Sequence, residues 1–124
     1  MKNLITGIQP TGVITLGNYL GAIQNCVKLQ ENEDINMMIF IADLHAITVY
    51  QDKTALRKQI KSLAAIYLAC GIDPKKVKIF IQSEVYEHTV LNHILQCVTP
   101  LGELERMTQY KDKIQKQESR NYHN

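Results

Sequence analysis

A strand pattern, a glycine- and proline-containing turn and a helix pattern follow one another at the start of this chain. Residues 4–8 are a short apolar run, residues 9–15 contain Pro10 and Gly12, and an amphipathic pattern runs from Gly17 to about Gln30. This order gathers free backbone N–H groups and the positive end of a helix dipole at one point, which suits a phosphate group. On spacing alone, a plain strand-to-helix turn explains the segment equally well.

Strand and helix patterns continue to alternate along the chain. Apolar runs at residues 37–42 and 77–81 are typical of strands, and the helix pattern between them has Asp52 or Thr54 as a cap and Gly71 as its end. Further helices are predicted from residue 86 or 87 to 98 and from 103 to about 116. Continuously apolar strands indicate a parallel sheet covered on both faces. We therefore predict an α/β fold with a Rossmann-like parallel sheet of about three strands and flanking helices.

Size and composition narrow the class of protein. A chain of 124 residues fits one domain, predicted over residues 1–114, with a polar, frayed tail at 115–124. The net charge of +2 is too small to indicate nucleic-acid binding by itself. Without a signal-peptide pattern or a membrane-length apolar stretch, a cytoplasmic location is expected. The three widely spaced cysteines predict buried reduced thiols, with neither a zinc site nor a disulfide.

Polar residues directly follow the second and third predicted strands. Asp43 and His45 come after the second strand, and residues 82–84 (Gln-Ser-Glu) come after the third. Ligands of open α/β sheets bind at the edge where the strands end. An Asp-x-His pair is a weak signal, and a structural histidine is the simpler interpretation. Residues 82–84 suit a helix-capping turn equally well.

Four separated blocks, taken in order, resemble the tryptophanyl branch of the class I aminoacyl-tRNA synthetases. They are Gln9-Pro-Thr-Gly12 with Thr15-Leu-Gly-Asn-Tyr19, Asp43-Leu-His-Ala-Ile-Thr48, Gln82-Ser-Glu84, and Gly102-Glu-Leu-Glu-Arg-Met-Thr-Gln-Tyr-Lys-Asp-Lys113. Both histidines of the usual first signature are replaced here, by Thr15 and Asn18, as is common in that branch. The resemblance covers roughly residues 2–113.

The resemblance implies activation of L-tryptophan by ATP, with Mg²⁺ carried by the ATP, and transfer of the product to tRNA(Trp) by a homodimer. It implies no metal ion held by the protein itself. The catalytic residues it implies are Gln9, Thr15, Asn18 and Lys113. The ATP contacts it implies are Gln9, Pro10, Thr11, Gly17, Asn18, Lys111 and Lys113. The amino-acid contacts it implies are Ile5, Gly7, Asp43, His45 and Gln109.

Two departures from the family leave alternatives open. Ile5 stands where members often place an aromatic residue against the amino acid. After Lys113 the sequence no longer resembles the family, which is the second departure. Full members are also much longer, so these residues are expected to be an N-terminal part of the catalytic domain that is inactive alone. One alternative is a non-catalytic fragment that only binds nucleotide. The other is a tyrosyl-type ligase, whose corresponding region is similar.

Overall fold

The structure is a computed structural model that describes residues 1–12 and 14–121, with side chains described through residue 115. The chain divides into two compact units, Met1–Tyr86 and Glu87–Asn124. The sequence predicted a single domain through residue 114. Within the described part of the chain, every helix is too short or too polar to span a bilayer.

The first unit is built on a three-stranded parallel sheet. Its strands are β1 (Lys2–Ile8), β2 (Ile35–Ile41) and β3 (Lys78–Ile81), and β2 lies between the other two. Ile41 is paired with Ile8 on one side and with Ile81 on the other, so the three strands end at the same level. The predicted α/β fold with a parallel sheet of about three strands is confirmed.

The helices of the first unit supply the other half of its core. A continuous helical run follows β1 as α1 (Leu16–Asn18), a π-helical stretch (Tyr19–Ile23) and α2 (Gln24–Leu29). The short helix α3 (Asp43–Ala46) and the longer α4 (Lys53–Ala69) connect β2 to β3. The buried cluster comprises Ile23, Cys26, Met37, Ile39, Ile41, Leu63, Tyr67, Ile72 and Val77. The helix predicted from Gly17 to about Gln30 is confirmed, although its π-helical stretch had no signal in the sequence.

Burial along β2 alternates from residue to residue. Met37, Ile39 and Ile41 are almost fully buried, whereas Met38 and Phe40 are half-buried and lie outside the core cluster. Successive side chains of a strand point to opposite faces, so only one face of this sheet packs on the core of the first unit. The expectation of two covered faces, drawn from the continuous apolar run, is wrong for this unit.

Helix α4 begins and ends where its sequence signals lie. The Asp52 carboxylate accepts a hydrogen bond of 2.8 Å from the Ala55 amide, which satisfies one of the free N–H groups of the first turn. Gly71 has a φ of +102°, and the Ile72 amide donates back to the Tyr67 carbonyl across it. Glycine adopts this left-handed conformation at no steric cost, so the chain turns here toward β3. Both predicted boundary signals are confirmed.

The cysteines differ in their surroundings. Cys26 is buried in the core of the first unit, and this burial raises the pKa of its thiol, which keeps it protonated. Cys70 is half-buried. Cys97 is exposed, so the prediction of a buried thiol is wrong at that position. The prediction was drawn from the apolar residues around Cys97 in its helix, and these do not bury the thiol.

The described residues of the second unit are mainly helical. Most of α5 (Tyr86–Val98) belongs to it, followed by α6 (Leu101–Leu104) and α7 (Thr108–Asn121). The single helix predicted over 103–116 is wrong, because the amides of Arg106 and Met107 bond three residues back and close a tight turn. Helix α7 also continues through most of the segment predicted to fray, and residues 122–124 of that segment lie outside the described residues.

Truncation of Leu63 tests whether the face of α4 toward the sheet stabilises the first unit. Leu63 is 3% exposed, whereas Leu68 on the same helix is 49% exposed. We expect Leu63→Ala to lower the free energy of unfolding by roughly 2–5 kcal/mol, because it leaves a cavity in the core. Leu68→Ala is the matched control, with a much smaller expected loss. Urea unfolding followed by circular dichroism measures both, and equal losses would contradict this packing.

Candidate functional site

The turn after β1 leaves the sheet where β2 also ends. The Ala42 amide donates to the Ile8 carbonyl at 2.9 Å, which fixes the last residue of β1 against the end of β2. Pro10 is then buried, and Gly12 has a φ of +75°, a conformation that favours glycine. The turn therefore has a defined path, and Gln9, Thr11 and Gly12 are left exposed on it.

Thr15 and Asn18 form a reciprocal cap at the start of the helical run. The Asn18 amide donates to Thr15 Oγ1 at 3.4 Å, while the Thr15 amide and hydroxyl donate to Asn18 Oδ1 at 3.0 and 2.8 Å. This capping box holds the first turn in place. Gly17 is exposed between the two capping residues, and a Cβ there would lie 3.6 Å from Thr15 Oγ1, an ordinary contact. Gly17 is thus not required by the turn itself.

A cavity of about 360 Å³ lies beside this turn. Its lining residues come from the turn and from α4, and they are Gln9, Pro10, Gly12, Ile14, Lys58, Gln59, Ser62, Leu63 and Ile66. The Oε1 atom of Gln59 is buried and has no hydrogen-bond partner among the described residues. Sequence reasoning missed the contribution of α4, because nothing in the helix pattern relates it to a turn some fifty residues earlier.

Asp43 joins the ends of two neighbouring strands. Its side chain is 8% exposed, and its Oδ1 accepts hydrogen bonds of 3.0 Å from the backbone amides of Leu44 and Ser83. Ser83 lies in the 3₁₀ turn Gln82–Glu84 that follows β3. The structure thus places the Asp43 block and the Gln82 block at one edge, as expected from a parallel sheet. The structural role of this carboxylate was not predicted.

His45 stands beside Asp43 on α3, and its side chain is exposed. Its backbone carbonyl accepts a hydrogen bond of 2.7 Å from the Thr48 hydroxyl. The imidazole is therefore at the edge of the sheet and accessible to a ligand. Residues 1–12 and 14–121 contain no group of three or more His, Cys, Asp or Glu side chains arranged to hold a metal ion.

Ile5 and Gly7 lie on the face of the sheet opposite the core. Gly7 is paired with Phe40, and a Cβ at Gly7 would lie only 2.5 Å from Cζ of the Phe40 ring. The Phe40 ring in turn stacks on Phe80, with centroids 5.9 Å apart. Ile5 is 58% exposed on the same face. Phe40 and Phe80 were missed from the sequence, although a glycine inside a strand often marks such a close approach.

The remaining predicted residues lie in the second unit. Gln109, Lys111 and Lys113 all belong to α7, and Gln109 and Lys113 are one turn apart on the same side of the helix. Lys111 is exposed and Lys113 is half-buried.

Comparison with known proteins identifies the family. A sequence profile described as tRNA synthetases class I (W and Y) matches residues 2–123, nearly the whole chain. The chain belongs to this family. The predicted resemblance to class I synthetases is thereby confirmed, and it accounts for the order of the four sequence blocks. The expected departure from the family after Lys113 is wrong, because the match continues to residue 123.

Similar proteins within the family are named as tryptophan–tRNA ligases. The chain is 61% identical to the tryptophan–tRNA ligase of Oceanobacillus iheyensis over 119 residues, which are 96% of this chain and 36% of that protein. It is 54% identical to the Bacillus subtilis tryptophan–tRNA ligase over 112 residues, covering 90% of this chain and 33% of the relative. The chain thus spans about a third of the length of these curated relatives.

Solved structures agree in fold. A Campylobacter jejuni tryptophanyl-tRNA synthetase in complex with ADP and tryptophan superposes with a TM-score of 0.83 at 43% identity, over 93% of this chain and 35% of that one. The Mycoplasma pneumoniae tryptophanyl-tRNA synthetase gives a TM-score of 0.80 at 43% identity, over 91% of this chain and 33% of that one.

Replacement of Asp43 tests its role at the strand ends. Asp43→Ala removes a buried acceptor from two backbone amides, and hydrogen bonds to a charged group are worth about 1.5–3 kcal/mol each. We expect a loss of roughly 2 kcal/mol or more in the free energy of unfolding, measured in urea. Asp43→Asn retains an acceptor oxygen and should lose clearly less. Wild-type stability in both variants would contradict the assigned role.

Proposed function

We propose that this chain is part of a tryptophan–tRNA ligase, which activates tryptophan with ATP and transfers it to tRNA(Trp). The observation that carries the proposal is the capped strand–turn–helix segment at the carboxyl edge of a parallel sheet. The tryptophan–tRNA ligase name of relatives 54–61% identical supports it, as does the ADP and tryptophan bound in the Campylobacter neighbour. We propose that the active protein is a homodimer, as the family resemblance implies.

In this proposal ATP lies along the turn and the start of the helical run. The tryptophan carboxylate attacks the α-phosphorus, forming an acyl phosphate bond as the bond to pyrophosphate breaks. The protein positions the reactants and stabilises developing charge. Gln9, Pro10 and Thr11 are assigned to the wall of the nucleotide site. Thr15 and Asn18 hold the first helical turn by their mutual bonds, and the N–H groups of the turn outside those bonds are assigned to the phosphates. Mg²⁺ arrives with the ATP phosphates.

The face of the sheet opposite the core is the place that we assign to the amino acid. Ile5 and Gly7 present an apolar surface there, and the Phe40 ring is seated against Gly7. An aromatic ring prefers an offset or edge-on partner, which suits an indole beside Phe40. His45 is exposed at the end of the neighbouring strand and is assigned to the polar part of the substrate. Asp43 acts by positioning this edge.

The assignments on α7 rest on the family resemblance. Lysine carries a compact charge on a flexible stem, which suits contact with a polyphosphate whose shape changes during the reaction. Lys111 and Lys113 are assigned to the ATP phosphates on that ground. Gln109 is assigned to the amino acid, as the family resemblance implies.

A chimera tests the proposed reaction directly. Residues 2–113 of this chain replace the matching segment of the Bacillus subtilis ligase, and ATP–pyrophosphate exchange is measured with tryptophan and, as the control amino acid, tyrosine. We expect exchange that depends on tryptophan, abolished by the combined replacement of Gln9, Thr15 and Asn18 with alanine. Exchange with tyrosine alone would favour a tyrosyl-type ligase. A folded chimera without any exchange would favour a non-catalytic nucleotide-binding role.

Gly7→Ala tests the amino-acid side of the site. The new Cβ would displace the Phe40 ring, whereas a Cβ at Gly21 meets nothing within 4 Å, which makes Gly21→Ala the matched control. A misfit of about one methylene in an apolar pocket weakens recognition by about 10- to 200-fold, so in the chimera we expect the KM for tryptophan to rise by roughly 10- to 100-fold. The KM for ATP should stay constant. A rise in both constants, or in neither, would argue against this placement of the amino acid.

A further inference from the structure

Positive charge is concentrated on one helix of the first unit. The chain has 14 lysine and arginine side chains and 12 aspartate and glutamate side chains. Helix α4 holds four of the former and none of the latter, so the rest of the chain has a net charge of −2. The four residues, here called the basic stripe, are Lys53, Arg57, Lys58 and Lys61. The small net charge of the whole chain concealed this concentration.

The basic stripe is continuous and unneutralised. Lys53, Arg57 and Lys61 are spaced four residues apart, so they lie on one side of the helix over about 12 Å, with Lys58 adjacent. All four side chains are exposed, and none forms an ion pair with a described carboxylate. Like charges one helical turn apart destabilise a helix by a few tenths of a kcal/mol, so this arrangement has a cost that an anionic partner would offset.

The basic stripe borders the cavity beside the turn after β1 and a second cavity that reaches Asp43. Lys58 lines the cavity of about 360 Å³ together with Gln9 and Gly12 of the turn. Lys53, Arg57 and Lys61 line a second cavity of about 550 Å³ that reaches Asp43 and the 3₁₀ turn. Of the carboxylates in that cavity, Asp43 is engaged by backbone amides, and Glu84 forms no ion pair with the stripe. A further groove is lined by the stripe and Thr54.

We propose that the basic stripe binds the phosphate backbone of RNA next to the 3′ end that receives the amino acid. A duplex presents about one negative charge per 1.7 Å of its axis, so a 12 Å row of cations meets several phosphates. Arg57 offers a planar fork that binds a phosphate through two hydrogen bonds. This inference rests on the proposed function, since a transferred amino acid requires an RNA end close to the turn.

The surface chemistry of α4 favours RNA over other anionic partners. A helix that binds a membrane surface inserts an apolar face, but the apolar face of α4 is packed on the sheet of the first unit. Protein interfaces are usually anchored by tryptophan, tyrosine or arginine side chains in well-packed, desolvated pockets, whereas the groove of the stripe is exposed and contains only Thr54 besides its cations. A row of cations without apolar anchors suits a phosphate backbone, because proteins contact the phosphates through charge and hydrogen bonds that fix the position of the nucleic acid.

The test compares two triple variants of the 124-residue chain. Arg57→Gln/Lys58→Gln/Lys61→Gln removes three stripe charges, and Lys28→Gln/Lys75→Gln/Lys78→Gln removes three exposed charges near the amino edge of the sheet. Fluorescence anisotropy measures binding of a short RNA hairpin with a single-stranded 3′ end over a range of salt concentrations. Circular dichroism confirms that both variants remain folded, as expected for exposed side chains.

We plot the logarithm of the RNA association constant against the logarithm of the salt concentration. The slope for the stripe variant should be shallower than the wild-type slope by about two to three, since each phosphate contact contributes about 0.7–0.9 to it. The control variant should keep the wild-type slope. Equal slopes in the two variants would overturn the inference, as would tighter stripe-dependent binding to phosphatidylcholine–phosphatidylserine vesicles than to RNA. If RNA binding depends on the stripe but the chimera shows no ATP–pyrophosphate exchange, the proposed reaction is overturned and this inference stands. If the chimera shows exchange but the stripe and control variants have equal salt slopes for RNA binding, this inference is overturned and the proposed reaction stands.

Discussion

The parallel pairing of β2 with both of its neighbours is the constraint on which the rest of the first unit depends. Because Ile41 is aligned with Ile8 and Ile81, the three strands end together. The first residues beyond the sheet are then brought to one edge, although they are far apart in the sequence. The hydrogen bond from the Ser83 amide to Asp43 spans forty residues and exists only because of this register. The candidate site follows from strand pairing first and from side-chain chemistry second.

The two faces of the sheet have different roles. One face, with Met37, Ile39 and Ile41, is almost fully buried against the helices and supplies the stability of the unit. The other carries Gly7 beneath the Phe40 ring, and it is only partly buried. A glycine costs strand stability and gives no packing of its own. Here it makes room for an aromatic ring, which is why we assign this face to substrate rather than to the core.

The sequence predicted the elements that depend on local chemistry. The apolar runs predicted the three strands, and Asp52 and Gly71 predicted the ends of α4 because capping and a left-handed residue need specific side chains. The order of four motif blocks predicted the family.

Features that arise from tertiary contacts were not predictable in the same way. The approach of Gly7 to Phe40 and the bond between Asp43 and Ser83 join residues that are neighbours only after the sheet forms. The break between α6 and α7 was missed because residues 105–107 have no glycine or proline to mark it. The basic stripe was missed for a different reason, since the net charge of +2 is a sum over the whole chain and conceals the four cations of one helix.

In the proposed function, the turn after β1 and the start of the helical run hold the nucleotide. Titration of the ¹⁵N-labelled chain with ATP, followed by amide chemical shifts, tests it most directly. We expect the largest changes at Gly12, Gly17 and Asn18, with the amides of Lys28 and Lys75 at the opposite edge unaffected. Changes concentrated at the opposite edge, or no saturable change anywhere in a folded chain, would contradict it.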